Sequence, residues 1–198
     1  MKTIVTGGAG FIGSHITRAL VADGHDVHVI DTYEAGRFEA RVVPGATYHE
    51  ASILDKEAMA EVCAGAEVIF HTAALPRVQF SIQYPIETNN TNIGGTVAVL
   101  HAAQQAGVRR VVYSASSSAY GNQETLPLVE TMEPRPMSPY ALQKYVGERY
   151  CELFSQIHGL ETVSLRYFNV YGPDADPHGA YALVVAKFIE QREFAHDG

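Results

Sequence analysis

The chain has 198 residues, 46% of them hydrophobic and 18% charged, with a formal net charge of -8. That length can bury one sizeable core, and the composition is that of an ordinary folded protein without a low-complexity tract. The acidic balance excludes a broad surface for nucleic acid or anionic membrane, because phosphate contacts need clustered Lys and Arg.

Short apolar runs alternate with longer helix-like stretches, the rhythm of βαβ units feeding a parallel sheet. The first strand is expected over Lys2–Thr6 and runs straight into a glycine turn. This opening has neither the apolar stretch of a signal peptide nor a membrane span, so a cytoplasmic setting is expected. A helix follows over Ile12–Asp23, then strands over Asp26–Asp31 and Thr47–Glu50, a helix over Lys56–Cys63 and a strand over Glu67–His71. Beyond these come a long helix over Pro85–Ala106, a strand over Arg110–Ser114, a helix over Pro139–His158, a strand over Thr162–Arg166 and a last helix over Tyr181–Gln191. Four of the helices end near Gly24, Gly65, Gly107 and Gly159, where glycine most easily forms a left-handed cap. The segment Gly121–Ser138 holds three prolines and little periodicity, and reads as a long loop. With no repeat and no dividing linker, one domain is expected: α/β, built on a six-stranded, doubly wound parallel sheet.

Cys63 and Cys151, each inside an expected helix, form neither a disulfide framework nor a metal-ligand spacing, which points to a reducing compartment. The nine histidines form no HExxH or comparable cluster, so scattered surface positions and no metal are expected.

Gly7, Gly10 and Gly13 follow the first strand directly, and Gly8–Gly13 also fits the G-x-G-x-x-G register. Between a strand and a helix, such glycines let the backbone approach a pyrophosphate whose charge meets the helix N-terminal N–H groups. Asp31 ends the second strand, where its carboxylate can accept from adenosine ribose hydroxyls and repel a 2′-phosphate, which favours NAD over NADP. Arg37 is not placed to compensate. Tyr140 and Lys144 stand four apart on one expected helix and share a face. An ammonium beside a phenol stabilises the phenolate and lowers its pKa, although Y-x-x-x-K alone is usually an ordinary helix face. The serine run Ser114-Ala115-Ser116-Ser117-Ser118 follows the fifth strand, where open α/β sheets bind ligands; read alone, it could equally be a solvated turn.

Together, Thr6–Gly13, the serine run, Tyr140-x-x-x-Lys144, His71-Thr72-Ala73-Ala74, Asn92-Ile93-Gly94-Gly95-Thr96 and Leu165–Gly172 resemble the extended short-chain dehydrogenase/reductase family, and within it the nucleotide-sugar epimerases. The resemblance implies a Rossmann domain, bound NAD, and reversible hydride transfer at C4 of a nucleotide sugar, of the UDP-glucose/UDP-galactose type. It assigns Ser116, Tyr140 and Lys144 to catalysis. It places Phe11 and Ile12 with the glycines at the pyrophosphate, Ile53 beside the adenine, and Ala73, Ala74, Leu75, Asn92, Ser114 and Tyr167 along the cofactor cleft. Ser116, Ser117, Ser118, Tyr140 and Asn169 would meet the substrate.

Two positions depart from the family pattern: Ser52, where an Asp commonly reads the adenine amino group, and Pro76, where some epimerases carry a lysine near the pyrophosphate. Arg77 follows Pro76, either supplying charge to cofactor or substrate or standing as a solvated loop arginine. The dehydratase branch carries an acidic pair where Ser117 and Ser118 stand. Removing water from a sugar needs an acid and a base that two serines do not supply. The same lack of a carboxylate disfavours the decarboxylases.

The resemblance also implies a smaller C-terminal substrate domain, of which residues 172–198 would be the start and the remainder missing. A homodimer through helices 85–106 and 139–158 is expected from the same source. Two other readings stay open: a non-catalytic NAD-binding fragment, and an NAD-dependent dehydrogenase of a small alcohol or hydroxy-amino acid.

Overall fold

Every strand of the sheet runs in the same direction. The computed structural model describes residues 1–175, in which β1 (Lys2–Thr6), β2 (Asp26–Asp31), β3 (Thr47–Glu50), β4 (Val68–His71), β5 (Arg110–Ser116) and β6 (Glu161–Tyr167) form one sheet in the order β3-β2-β1-β4-β5-β6. All five pairings are parallel. This is the Rossmann arrangement, with the strand order reversing direction between β1 and β4.

Parallel strands need crossovers, and helices supply them on both faces. Successive strand residues point to opposite sides, so neighbours in β1 feed different cores. Ile4 joins Ile30, Ile69, Val111 and Tyr113 beneath α2 (Lys56–Cys63), whose N-cap Asp55 accepts from the Ala58 N–H at 3.0 Å. Val5 packs with Val27 and Val29 against Ile16 and Leu20 of α1 (Phe11–Ala22). The two cysteines fall in helices, buried and unpaired.

The stretch expected as one helix from Pro85 to Ala106 is interrupted. It comprises α4 (Pro85–Asn89), a π-helical turn (Asn90–Gly94) and α5 (Gly95–Gln105). A π turn takes up one extra residue without ending the helix. A further short helix, α3 (Val78–Gln83), lies where no element was expected. The helix α6 (Pro139–His158) begins at Ser138, whose hydroxyl accepts from the Ala141 N–H, and ends at Gly159 in the left-handed region with φ 69°. Strands β5 and β6 extend far enough for Ser116 to pair with Tyr167. The expected helix Tyr181–Gln191 lies outside the described residues.

The histidines are not all on the surface. His71 is in the core, and His28 and His49 stack with ring centres 5.2 Å apart and nitrogens 2.9 Å apart. Among the described residues no group of three or more His, Cys, Asp or Glu could hold a metal ion, and no helix is long and apolar enough to cross a membrane.

Candidate active site

The carboxyl ends of β1, β2, β4 and β5 open onto one cleft. At its floor the Gly7 N–H donates to the Ile30 carbonyl at 2.8 Å, and Gly7 holds φ 70°, a conformation that glycine adopts without strain. A Cβ on Gly7 would come within 2.7 Å of the Ala73 backbone, and one on Gly13 would overlap the Gly7 carbonyl. Helix α1 starts at Gly10 with no side-chain cap and no acidic residue in its first turn. The N–H groups of Phe11, Ile12 and Gly13 are therefore first-turn donors without intrahelical partners, at the positive end of the helix. This cradle fits a pyrophosphate.

Asp31 stands beside it. One carboxylate oxygen accepts from the Ala9 N–H at 3.0 Å and the other from the Tyr33 N–H at 2.9 Å, fastening the end of β2 to the glycine turn. Each oxygen keeps a second lone pair, which a ribose hydroxyl can use. Arg37 lies over the Tyr33 ring, 5.1 Å from its centre.

The cleft wall is the segment after β4. Its Ala73 N–H donates to the Thr6 hydroxyl, and Asn92 brackets Leu75, accepting from its N–H at 2.8 Å and donating to its carbonyl at 3.1 Å. The remaining Asn92 N–H goes to the Gln143 side chain at 2.8 Å. Asn92 is 1% exposed, with both amide hydrogens engaged and one lone pair of its oxygen left over, and it shapes the cleft by holding Leu75. The Ile53 side chain packs in the core, under Gly95. Ser52 turns its hydroxyl to the Leu54 N–H at 3.2 Å.

Behind this wall runs a directed chain of hydrogen bonds. Thr96 donates to the Asn92 carbonyl at 2.6 Å, so His71 Nε2 must donate to Thr96. His71 Nδ1 then accepts from the Thr6 hydroxyl at 2.7 Å. The imidazole is thereby fixed as the neutral Nε2–H tautomer. Burial, aided by the Lys144 charge, drives its pKa down to about 3.

The three expected catalytic residues converge at the other side. Ser116 ends β5, and its hydroxyl lies 2.7 Å from that of Ser118 and accepts from the Ser118 N–H. Ser117 and Ser118 open a 3-10 turn that runs to Tyr120. Tyr140 sits in the first turn of α6. Burial pushes its phenol pKa up, and a hydrogen bond with Ser116 pulls it partly back. Lys144 is 4% exposed, and burial brings its pKa down to about 8. Its ammonium donates to the Ser114 carbonyl at 2.8 Å and lies 5.0 Å from the centre of the Tyr113 ring. Lys144, expected to tune Tyr140, gives one of its three N–H donors to the Ser114 carbonyl, and the neighbour that opposes the upward shift of the Tyr140 phenol is Ser116. Tyr167 is the last residue of β6, opposite Ser116, and Asn169 follows on the exposed side.

A Rossmann sheet with a bare helix N-terminus at the switch point and a Ser–Tyr–Lys group across the cleft defines a dinucleotide-binding domain of the short-chain dehydrogenase/reductase class. The chain belongs to the NAD dependent epimerase/dehydratase family, whose pattern matches residues 3–196, and NAD is its cofactor. It is 41% identical to the UDP-glucose 4-epimerase of Mycolicibacterium smegmatis, with 96% of the chain and 62% of the relative covered. Among solved structures it resembles UDP-glucose 4-epimerase from Thermotoga maritima with UDP-glucose, at TM-score 0.91 and 40% identity, with 96% of the chain and 62% of that structure covered. It also resembles the Thermus thermophilus UDP-glucose 4-epimerase in complex with NAD, at TM-score 0.88 and 39% identity, covering 96% and 62% respectively. The chain thus spans about 62% of the length of these relatives.

Proposed function

We propose that the chain is the cofactor-binding and catalytic part of a nucleotide-sugar 4-epimerase of the UDP-glucose/UDP-galactose type. The carrying observation is the placement of Ser116 at the end of β5 beside Tyr140 and the buried Lys144 of α6, with hydroxyls rather than carboxylates at positions 117 and 118. NAD supplies a reversible hydride acceptor. Tyr140 takes the proton from the sugar C4 hydroxyl as hydride leaves C4, and Ser116 holds the same oxygen. The 4-keto sugar presents its other face, hydride returns, and Tyr140 gives the proton back. Lys144 contributes positive charge at the base of the site. Elimination or decarboxylation would call on an acid and base that Ser117 and Ser118 do not provide.

In this reading residues 1–198 form one NAD-binding domain, with 172–198 beginning the part that covers the substrate. Phe11, Ile12, Gly7, Gly10, Gly13 and Asp31 hold the cofactor, with Ile53 beside the adenine, and Ala73, Ala74, Leu75, Asn92 and Ser114 form the wall, with Tyr167 at the rim; Ser117, Ser118 and Asn169 face the sugar nucleotide. A homodimer through helices 85–106 and 139–158 is supported by Ile86 and Ile157, which leave 72% and 69% of their surface in solvent. The buried free cysteines support a reducing, cytoplasmic setting.

The test is to incubate the protein with UDP-galactose and NAD and to follow UDP-glucose and NADH together. UDP-glucose without net NADH is the expected result. NADH accumulating on a small alcohol substrate would establish a dehydrogenase instead. NAD binding with no turnover of either would leave a binding domain.

A further inference from the structure

The first turn of α6 has backbone donors that the helix cannot satisfy itself. Pro139 has no N–H, and the Ala141 N–H goes to Ser138 at 3.1 Å. The Tyr140 N–H is met from outside the helix, by the Ser81 hydroxyl of α3 at 3.1 Å. Ser81 has a single proton and donates it to the Val78 carbonyl at 2.6 Å, so its oxygen is left as the acceptor for Tyr140. The bond is directional, and Ser81 is fully buried.

The position of α3 gives this bond its meaning. The cofactor wall, residues 73–75, runs through Pro76 and Arg77 directly into α3. One turn further along α6, Gln143 accepts from Asn92, which brackets Leu75, and donates to the Thr88 hydroxyl at 3.0 Å. Two ties therefore join the 73–83 segment to α6, one at the backbone of residue 140 and one at the side chain of residue 143.

We propose that Ser81 is a positioning residue for Tyr140: its hydroxyl fixes the backbone of the first turn of α6 so that the phenol meets Ser116, and it makes the cofactor wall and the catalytic helix move as one. The proposal rests on the reading of Tyr140 as the proton-transfer residue. Without Ser81 the turn is held by Ser138 alone, and displacement of a reacting group by about 1 Å can cost up to about a hundredfold in rate.

The experiment compares Ser81→Ala, Ser81→Thr and wild type in UDP-galactose epimerisation, NAD binding, and NMR titration of ζ-carbon-labelled tyrosine, with the Tyr140 signal identified by its loss in Tyr140→Phe. Expected for Ser81→Ala is a kcat lower by about tenfold to a hundredfold, with KM and NAD affinity unchanged. Its Tyr140 titration should also move to higher pH, because the phenol loses alignment with Ser116. Ser81→Thr, which keeps the acceptor, should restore both. An unchanged kcat and titration in Ser81→Ala, or a Ser81→Thr variant as impaired as Ser81→Ala while still folded, would overturn the assignment. Should Ser81→Ala not fold, Ser81→Thr decides by itself: a wild-type titration supports the bond and a shifted one refutes it. The titration needs no turnover, so a wild-type protein without epimerase activity would defeat the proposed function while leaving this inference separately tested.

Discussion

Lys144 is bonded to the Ser114 carbonyl at 2.8 Å, two residues before Ser116, so the ammonium that marks the site also ties α6 to the end of β5. This buried charge has a measurable signature. Burial lowers the Lys144 pKa from 10.5 to about 8, so between those values the unfolded chain holds a proton that the folded protein does not. Stability contributed by this group therefore rises with pH across that window, by on the order of 3 kcal/mol in total. Urea unfolding of wild type and Lys144→Met at several pH values should show the wild type gaining on the variant from about pH 8 to about pH 10.5. Parallel profiles would contradict it.

Tyr140→Phe removes the proton-transfer group and leaves the ring in place. Turnover should fall by about 10² to 10⁴, with NAD binding retained. Ser116→Ala removes the bond that lowers the phenol pKa, so its kcat–pH profile should shift towards alkaline pH. A profile superimposable on the wild type would show that Ser116 does not act on Tyr140.

Asp31→Ala releases two backbone N–H groups, those of Ala9 and Tyr33, as well as the expected ribose acceptor. Hydrogen bonds to a charged group are worth about 1.5 to 3 kcal/mol each. NAD affinity should drop by roughly tenfold to a hundredfold, and the preference for NAD over NADP should shrink. Calorimetric titration with both cofactors measures each effect; undiminished selectivity would place discrimination elsewhere.

Gly147→Ala tests packing under the site. In a helix interior this change ordinarily gains up to about 1 kcal/mol. Here a Cβ would overlap the Tyr113 hydroxyl, on a ring buried completely in the core. Overpacking of that kind costs about 1 to 3 kcal/mol, so the variant should be less stable in thermal unfolding. A higher melting temperature would refute the expected clash.

Arg166 and Glu148 join β6 to α6 through two-pronged hydrogen bonds at 2.8 to 3.1 Å, with side-chain exposures of 15% and 11%. The guanidinium also lies over the Tyr120 ring, 4.5 Å from its centre. Arg166→Met should cost about 3 to 5 kcal/mol by stranding the Glu148 carboxylate. Adding Glu148→Leu should recover most of that loss. If the double variant is no more stable than the single one, the pair is more than a matched charge.

Much of this architecture was legible because local chemistry and topology agree. The glycine turn sits between a strand and a helix, the alternating apolar runs become a parallel sheet, and Tyr140 and Lys144 share a face because four residues make about one helical turn. What stayed hidden depends on contacts distant in sequence. The six residues of α3 are too few to show a period, and the π turn at Asn90–Gly94 shifts side chains by one residue beside a glycine pair, Gly94-Gly95, that can equally sit inside a continuous helix. The acceptor of Lys144 is a backbone carbonyl 30 positions away, which no side-chain pattern encodes. His71 reads as one more polar residue until Thr6 and Thr96 are found on either side of it. Asn92 belongs to a recognisable motif, yet its partners Leu75 and Gln143 are fixed only by the fold.

Since all six strands point the same way, the turns at Gly24, Gly65, Gly107 and Gly159 lie at the sheet end remote from the cleft, where the chain re-enters β2, β4, β5 and β6. The two native thiols are buried, with pKa values raised to about 11 for Cys63 and about 12 for Cys151, and are poor nucleophiles. A single cysteine introduced at one of those remote turns would be the reactive thiol of the molecule. Coupled through it to a sensor chip, the protein would stand with its cofactor cleft facing the solution.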